Sequence, residues 1–195
     1  MIKASLMALA LMFTVSVNAE TYKVDTTNST LHWKGSKLGG SSHEGNVAIK
    51  EGTLTIDNKG NPVSANVVID MTKITNLDLA SKPDMQAKLV GHLTSDDFFN
   101  VEKYPTATFV SKRVTKQGDT YLVKGDLTIR DKTQEIEFPA KIKTSKNDAT
   151  AEAKLTIDRA KHDVKYASTN FFKKLADDKI IKNEIEFDLK IVAKK

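Results

Sequence analysis

The segment Glu184-Ile185-Glu186-Phe187-Asp188-Leu189-Lys190-Ile191 alternates charge with bulk apolar side chains at every step. A period of two is the period of a strand whose one face is buried and whose other face is wet. The same alternation places Tyr121, Val123, Leu127 and Ile129 against Lys124, Asp126 and Thr128. It recurs in Ile136, Phe138 and Ile142, and again in Ala153, Leu155 and Ile157. Upstream, Leu31 and Trp33 alternate with His32 and Lys34. Val47 and Ile49, then Leu54 and Ile56, then Val63, Val67 and Ile69, and finally Ala107 and Phe109 continue the series. The pattern predicts about eight strands.

Turn residues fall between these runs at hairpin spacing: Asp57–Pro62, Lys116–Asp119, Arg130–Lys132 and Ser145–Asp148. Short connections make neighbouring strands antiparallel. Only Pro83–Leu93 offers a helical period, with Pro83 and Asp84 suited to a first turn and Met85 and Leu89 on one face. Thr169–Lys179 interrupts the strand rhythm as a short helix or an ordered loop. The fold class is all-β with one or two short helices, and alternation by itself leaves both a sandwich and a closed barrel open.

The first 19 residues read differently. Lys3 precedes a small and apolar run from Ala4 to Val17, and Val17-Asn18-Ala19 supplies small residues at −3 and −1 before Glu20. This is the pattern of a cleavable signal peptide over residues 1–19, and the run is too short to span a membrane. Residues 20–195 then form one exported domain. The chain has no Cys, so neither a disulfide framework nor a thiolate metal site is expected. Its 30 Lys and Arg are interspersed with 25 Asp and Glu, which argues against nucleic acid as a partner.

The reactive residue types form no recognised catalytic pattern. His43-Glu44 has no second His four residues on; His92 with Asp96 and Asp97 reads as a helix end. His32 sits on a strand's outer parity, and His162 among charges reads as a surface side chain. The conspicuous residues are aromatic. Phe98-Phe99 and Phe171-Phe172 lie in the two segments that break the strand rhythm, where they either plug a barrel end or line the mouth of an apolar cavity. Trp33 serves as core filler or pocket wall on the same reasoning.

Two longer blocks carry a resemblance. Gly91-His92-Leu93-Thr94-Ser95-Asp96-Asp97-Phe98-Phe99-Asn100-Val101-Glu102-Lys103-Tyr104-Pro105-Thr106-Ala107-Thr108-Phe109 and Gly125-Asp126-Leu127-Thr128-Ile129-Arg130 resemble signatures of the bacterial YceI-like family. Ile157-Asp158-Arg159 before Phe171-Phe172, and the opening from Val24-Asp25 to Trp33, agree with it. The resemblance implies an eight-stranded antiparallel lipocalin-like barrel. It further implies a periplasmic, non-enzymatic, stress-related binding or carrier protein for a polyisoprenoid or similar amphipathic lipid, an isoprenoid or quinone-like ligand being the only cofactor-like group. The candidate lining is Trp33, Phe98, Phe99, Phe109, Leu127, Ile129, Phe171, Phe172 and Phe187. A homodimer is admitted by the family, although no strand carries an exposed apolar stripe for it. Arg130-Asp131-Lys132 and the segment after Asp158 lack the family's usual turn glycines, and the Ser42-His43-Glu44-Gly45 stretch has no assigned role. The rivals are a filled barrel acting as a stress or interaction module without ligand, and an envelope hydrolase in which His43 or His92 converges with acids.

Overall fold

The computed structural model describes residues 19–172 and 175–195, so the proposed leader, apart from Ala19, lies outside the described residues. The strands are β1 (Ala19–Val24), β2 (Thr30–Lys37), β3 (Ser42–Asn46), β4 (Ala48–Asp57), β5 (Pro62–Asp70), β6 (Thr106–Gln117), β7 (Thr120–Ile129), β8 (Lys132–Thr144), β9 (Asp148–Asp158) and β10 (Ile181–Lys194). All pair antiparallel, and the ring β1-β4-β5-β6-β7-β8-β9-β10 closes through Lys23 and Val24 of β1 against Lys194 and Ala193 of β10. The sandwich alternative is thereby excluded, and the fold is a closed eight-stranded barrel.

Ten segments make eight staves because two are broken. β1 and β2 both run antiparallel to β10, one at its C-terminal end and the other along its N-terminal half. The break is an Asx turn: Asp25 Oδ1 accepts from the backbone N–H groups of Thr27 and Asn28 at 3.2 and 3.1 Å. Ser29 Oγ, accepting from Val192 N at 2.9 Å, patches the ladder across the gap. β3 and β4 likewise form one stave interrupted at Val47, whose N–H donates to Leu31 O.

Alternation places the expected residues inside with one instructive exception. Val63 is 43% exposed because a bulge between Thr55 and Ile56 shifts the register, and Pro62 takes the inward position instead. A second bulge at Lys50 reverses parity between Ile49 and Leu54, so both are buried although odd and even. The outer face carries cross-strand ion pairs, Lys112–Asp126 at 2.6 Å, Lys124–Glu135 at 2.7 Å and Lys154–Asp188 at 2.9 Å. A membrane barrel puts its apolar side outward. This barrel does the reverse.

The two ends differ. At the lower end the turn after β4 meets the turn after β8 across the barrel, with Thr144 Oγ1 donating to Gly60 O at 2.7 Å and Tyr22 OH to Ser145 O at 3.1 Å. The upper end holds the long connections: a 3₁₀ turn at Met71–Lys73, helix α1 (Pro83–Thr94) and a second 3₁₀ turn at Arg159–His162. Helix α1 matches the expected span, but Met85 is 53% exposed and only Leu89 and Leu93 reach the core. The described part of Thr169–Lys179 forms turns rather than a helix.

The β7–β8 hairpin shows how the missing turn glycine is tolerated. Arg130 and Asp131 take φ of 50° and 57°, the two positive values a type I′ turn requires. Arg130 is held there because its guanidinium donates to Phe98 O at 2.6 Å and Asp163 O at 3.1 Å. Among the described residues, no such side-chain anchor holds Asp131. Asp131→Gly is expected to stabilise the fold by about 0.5–1 kcal/mol, because glycine carries no left-handed penalty. Thermal unfolding would show a rise of about 2 °C; an unchanged or lower midpoint would contradict it.

Candidate functional site: an apolar channel with a polar mouth

The inward faces do not meet. They enclose a cavity of about 240 Å³ that extends from Pro62 and Ser64 near the closed end to Lys37 and His43 at the upper end. Glycine at 125 is what lets one wall form: a Cβ there would lie 2.5 Å from Val110 O and 2.8 Å from the Phe109 ring. Phe109 therefore lies across that backbone and pairs with Phe138 at 5.6 Å between centroids.

Seven candidate residues border the cavity: Trp33, Phe98, Phe99, Phe109, Leu127, Ile129 and Phe187. Trp33 presents its indole body to the wall while its Nε1–H donates to Thr75 O at 3.2 Å, so its polar edge is satisfied away from the channel. Phe98 is 6% exposed and clamped by the rings of His92 and Tyr166 at 4.9 and 5.4 Å, whereas Phe99 beside it is half-buried. Phe171 and Phe172 do not border it. They are 49% and 42% exposed, and Lys165 Nζ stands 5.2 Å from the Phe171 ring.

Three polar features of the barrel's upper end lay beyond reach of the sequence reading. The Arg159 guanidinium, 1% exposed, sits in the cavity wall and donates to three backbone carbonyls: Val164 O at 2.7 Å, Ile181 O at 2.9 Å and Lys182 O at 3.0 Å. Burial lowers its pKa to about 10 despite the raising influence of Asp158 and Glu184. This residue pins the Arg159–His162 turn and the strand after it over the upper end.

His162, expected at the surface, is the second. It is 1% exposed, with Nδ1 2.9 Å from Lys132 O, because the turn folds it under the β7–β8 hairpin. Burial pushes its imidazole below the ordinary value and outweighs the raising effect of that carbonyl. The unfolded chain therefore binds a proton near pH 6.5 that the folded chain refuses. Stability should fall as pH drops from about 6.5 towards the lower folded value, with a slope from this group of at most about 1.4 kcal/mol per pH unit. Urea titrations at pH 7 and pH 5 on wild type and His162→Asn would show it: the variant keeps an amide donor without the titration, and an equally steep loss in both would refute the assignment.

The third is at the mouth. His43 Nδ1 lies 2.8 Å from Asp78 Oδ2, and Asp78 Oδ1 accepts from Glu44 N at 2.9 Å. Burial raises the Asp78 carboxyl, but those donors and Asn76 prevail and hold it below the usual carboxylate range. The acids near His92 diverge instead: His92 meets Asp97 at 3.1 Å, while Asp96 accepts from Asn100 at 2.6 Å. His32 stands on the outer face, 4.0 Å from Glu44. Among the described residues, no three His, Asp or Glu gather closely enough to share a metal ion, and no helix is long and apolar enough to cross a membrane.

Comparison with known proteins agrees with this geometry. A family model described as the YceI-like domain matches residues 22–193. Protein YceI of Escherichia coli O17:K52:H18 is 36% identical over 149 residues, 72% of this chain and 73% of the relative. A UPF0312 protein of Photorhabdus laumondii is 33% identical over 148 residues, 73% of each chain. Among solved structures, Burkholderia cenocepacia BcnA superposes with a TM-score of 0.68 at 25% identity, covering 87% of this chain and 99% of its own. A polyisoprenoid binding domain from Saccharophagus degradans, implicated in plant cell wall breakdown, gives 0.63 at 18% identity, covering 89% and 97%.

Proposed function

Because the chain belongs to the YceI-like family, we propose that it is an exported carrier that shields the tail of an isoprenoid or similar amphipathic lipid inside its barrel. The observation that carries this is the cavity itself: an apolar space of about 240 Å³ in a barrel whose outer face is charged. A barrel acting only as a solid interaction module would close that space, since protein interiors otherwise pack without voids larger than a water. On the scale by which a dry apolar cavity of roughly 150 Å³ admits benzene, this one takes about ten carbons before any side chain moves. Half-buried Phe99, Phe109 and Phe187 line it and supply room to yield to a longer tail. Burial of the tail at about 25 cal/mol per Å² drives binding, and the polar mouth receives the head. The chemistry is solubilisation, with no bond made or broken.

Residues 1–19 direct the chain out of the cytoplasm, into the periplasm, with cleavage before Glu20. The likeness to a polyisoprenoid binding domain of Saccharophagus degradans supports the lipid class, a quinone-like head being one form of it. The test is an organic extract of protein purified from its own host, read by mass spectrometry. About one isoprenoid lipid per chain is expected; an extract without stoichiometric lipid overturns the reading.

A further inference from the structure

The cavity's wall is mostly apolar, and at the mouth one inward row carries a histidine. His43 and Gly45 of β3 and Val47 just after it share the inward parity, and the register sets Gly45 against Trp33 and His43 against Gly35 of β2. No atom lies within 4 Å of where a Gly35 Cβ would stand, so the space above Trp33 is open towards His43. His43 borders the cavity there.

Its ring is not free to choose a tautomer. Asp78 Oδ2 is 2.8 Å from Nδ1, and a carboxylate can only accept, so Nδ1 carries the proton of the neutral ring. Asp78 is itself held on its other oxygen by Glu44 N at 2.9 Å and Asn76 Nδ2 at 2.5 Å. Asn76, 2% exposed, is fixed in turn by Glu44 O at 3.0 Å and Leu79 N at 3.1 Å. Nε2 is left with a lone pair and, among the described residues, no protein partner. The His43 side chain is 39% exposed where it borders the channel, so a lipid head lodged there can take the place of the water that otherwise donates to Nε2.

We propose that His43 Nε2 accepts a hydrogen bond from the hydroxyl head of the bound lipid, so that the barrel selects alcohol- or phenol-headed isoprenoids over ether-headed counterparts, with Asp78 positioning the ring. This rests on the lipid-carrier reading above and names the head that the carrier recognises.

Farnesol and farnesyl methyl ether share a tail and differ in one donor. At pH 8, above the ordinary imidazole range, calorimetric titration of the lipid-free protein should show farnesol binding roughly five- to tenfold tighter. His43→Leu should lower farnesol to the level of the ether and leave the ether unchanged. Asp78→Asn should do the opposite. Asn Oδ1 keeps the bonds from Glu44 N and Asn76, while its Nδ2 donates to His43 Nδ1 and moves the ring proton to Nε2. The ether, an acceptor, should then gain until it equals farnesol.

A structural role for Asp78 alone predicts that both probes weaken together in Asp78→Asn, and that outcome overturns the proposal. So does equal binding of the two probes to wild type, or tighter binding of farnesyl phosphate than of farnesol, either of which leaves the carrier reading standing. Failure of every probe to bind overturns the carrier reading itself and the head assignment with it.

Discussion

Replacing Arg159 by Leu should destabilise the fold by roughly 3–5 kcal/mol, since three backbone carbonyls in and around a buried site lose a charged donor at once. Those carbonyls belong to Val164, Ile181 and Lys182, on both sides of the upper connection between the 3₁₀ turn and β10. Water cannot easily take the donor's place, because the site is 1% exposed and backed by the Phe98 ring at 5.9 Å. Lysine is no rescue: its single ammonium on a flexible stem does not span three acceptors as a planar fork does. Urea denaturation at constant slope should show the loss in Arg159→Leu and a large share of it in Arg159→Lys. Hydrogen exchange should place it first among the amides of residues 164–172 and 175–182. A cost below about 1 kcal/mol would mean that the guanidinium is not what holds this end.

Ala151→Phe should leave the protein folded and weaken farnesol binding about a hundredfold. Ala151 faces inward on β9, 8% exposed, and borders the lower part of the cavity. In a packed core such a change costs about 1–3 kcal/mol through strain. Here the ring enters space that is already open, so the melting temperature should hold or rise. The ligand loses what the ring takes: about 100 Å² of tail burial is worth about 2.5 kcal/mol at 25 cal/mol per Å², close to two decades in affinity. Geraniol, with a tail one prenyl unit shorter, should lose far less. Equal losses for the two tails would place the binding site away from the channel floor, and unchanged farnesol affinity would remove it from the channel.

Side-chain parity along β10, β7, β8 and β9 was readable from the chain alone because a strand's in-out alternation is a local property. Burial of Ile185, Phe138, Leu127 and Ile157 follows from it directly. The bulge at Val63 was not readable: an extra residue in one strand is defined only against the partner strand, and Pro62-Val63 is as plausible inward in either order. The Phe pairs make the same point for the site. Phe98-Phe99 and Phe171-Phe172 look alike in sequence, yet only the first borders the channel, because helix α1 and the turn at residues 101–103 carry it over the barrel's end. His162 was misplaced because its neighbours Lys161 and Asp163 suggested solvent, while the 3₁₀ turn that buries it is set by Arg159 reaching Ile181 and Lys182 across the chain.

The amino-acid sequence by itself determined an all-β chain, most of its strands and their inward faces, and one helix, since each depends on spacing over a few residues. Its longer motifs pointed to the family. Closure of the ring, the channel inside it, the buried Arg159 and the pairing of His43 with Asp78, 35 residues apart, were decided only in three dimensions. Each depends on which distant segments meet, and a cavity in particular is a property of volume left over after packing, which no local pattern records.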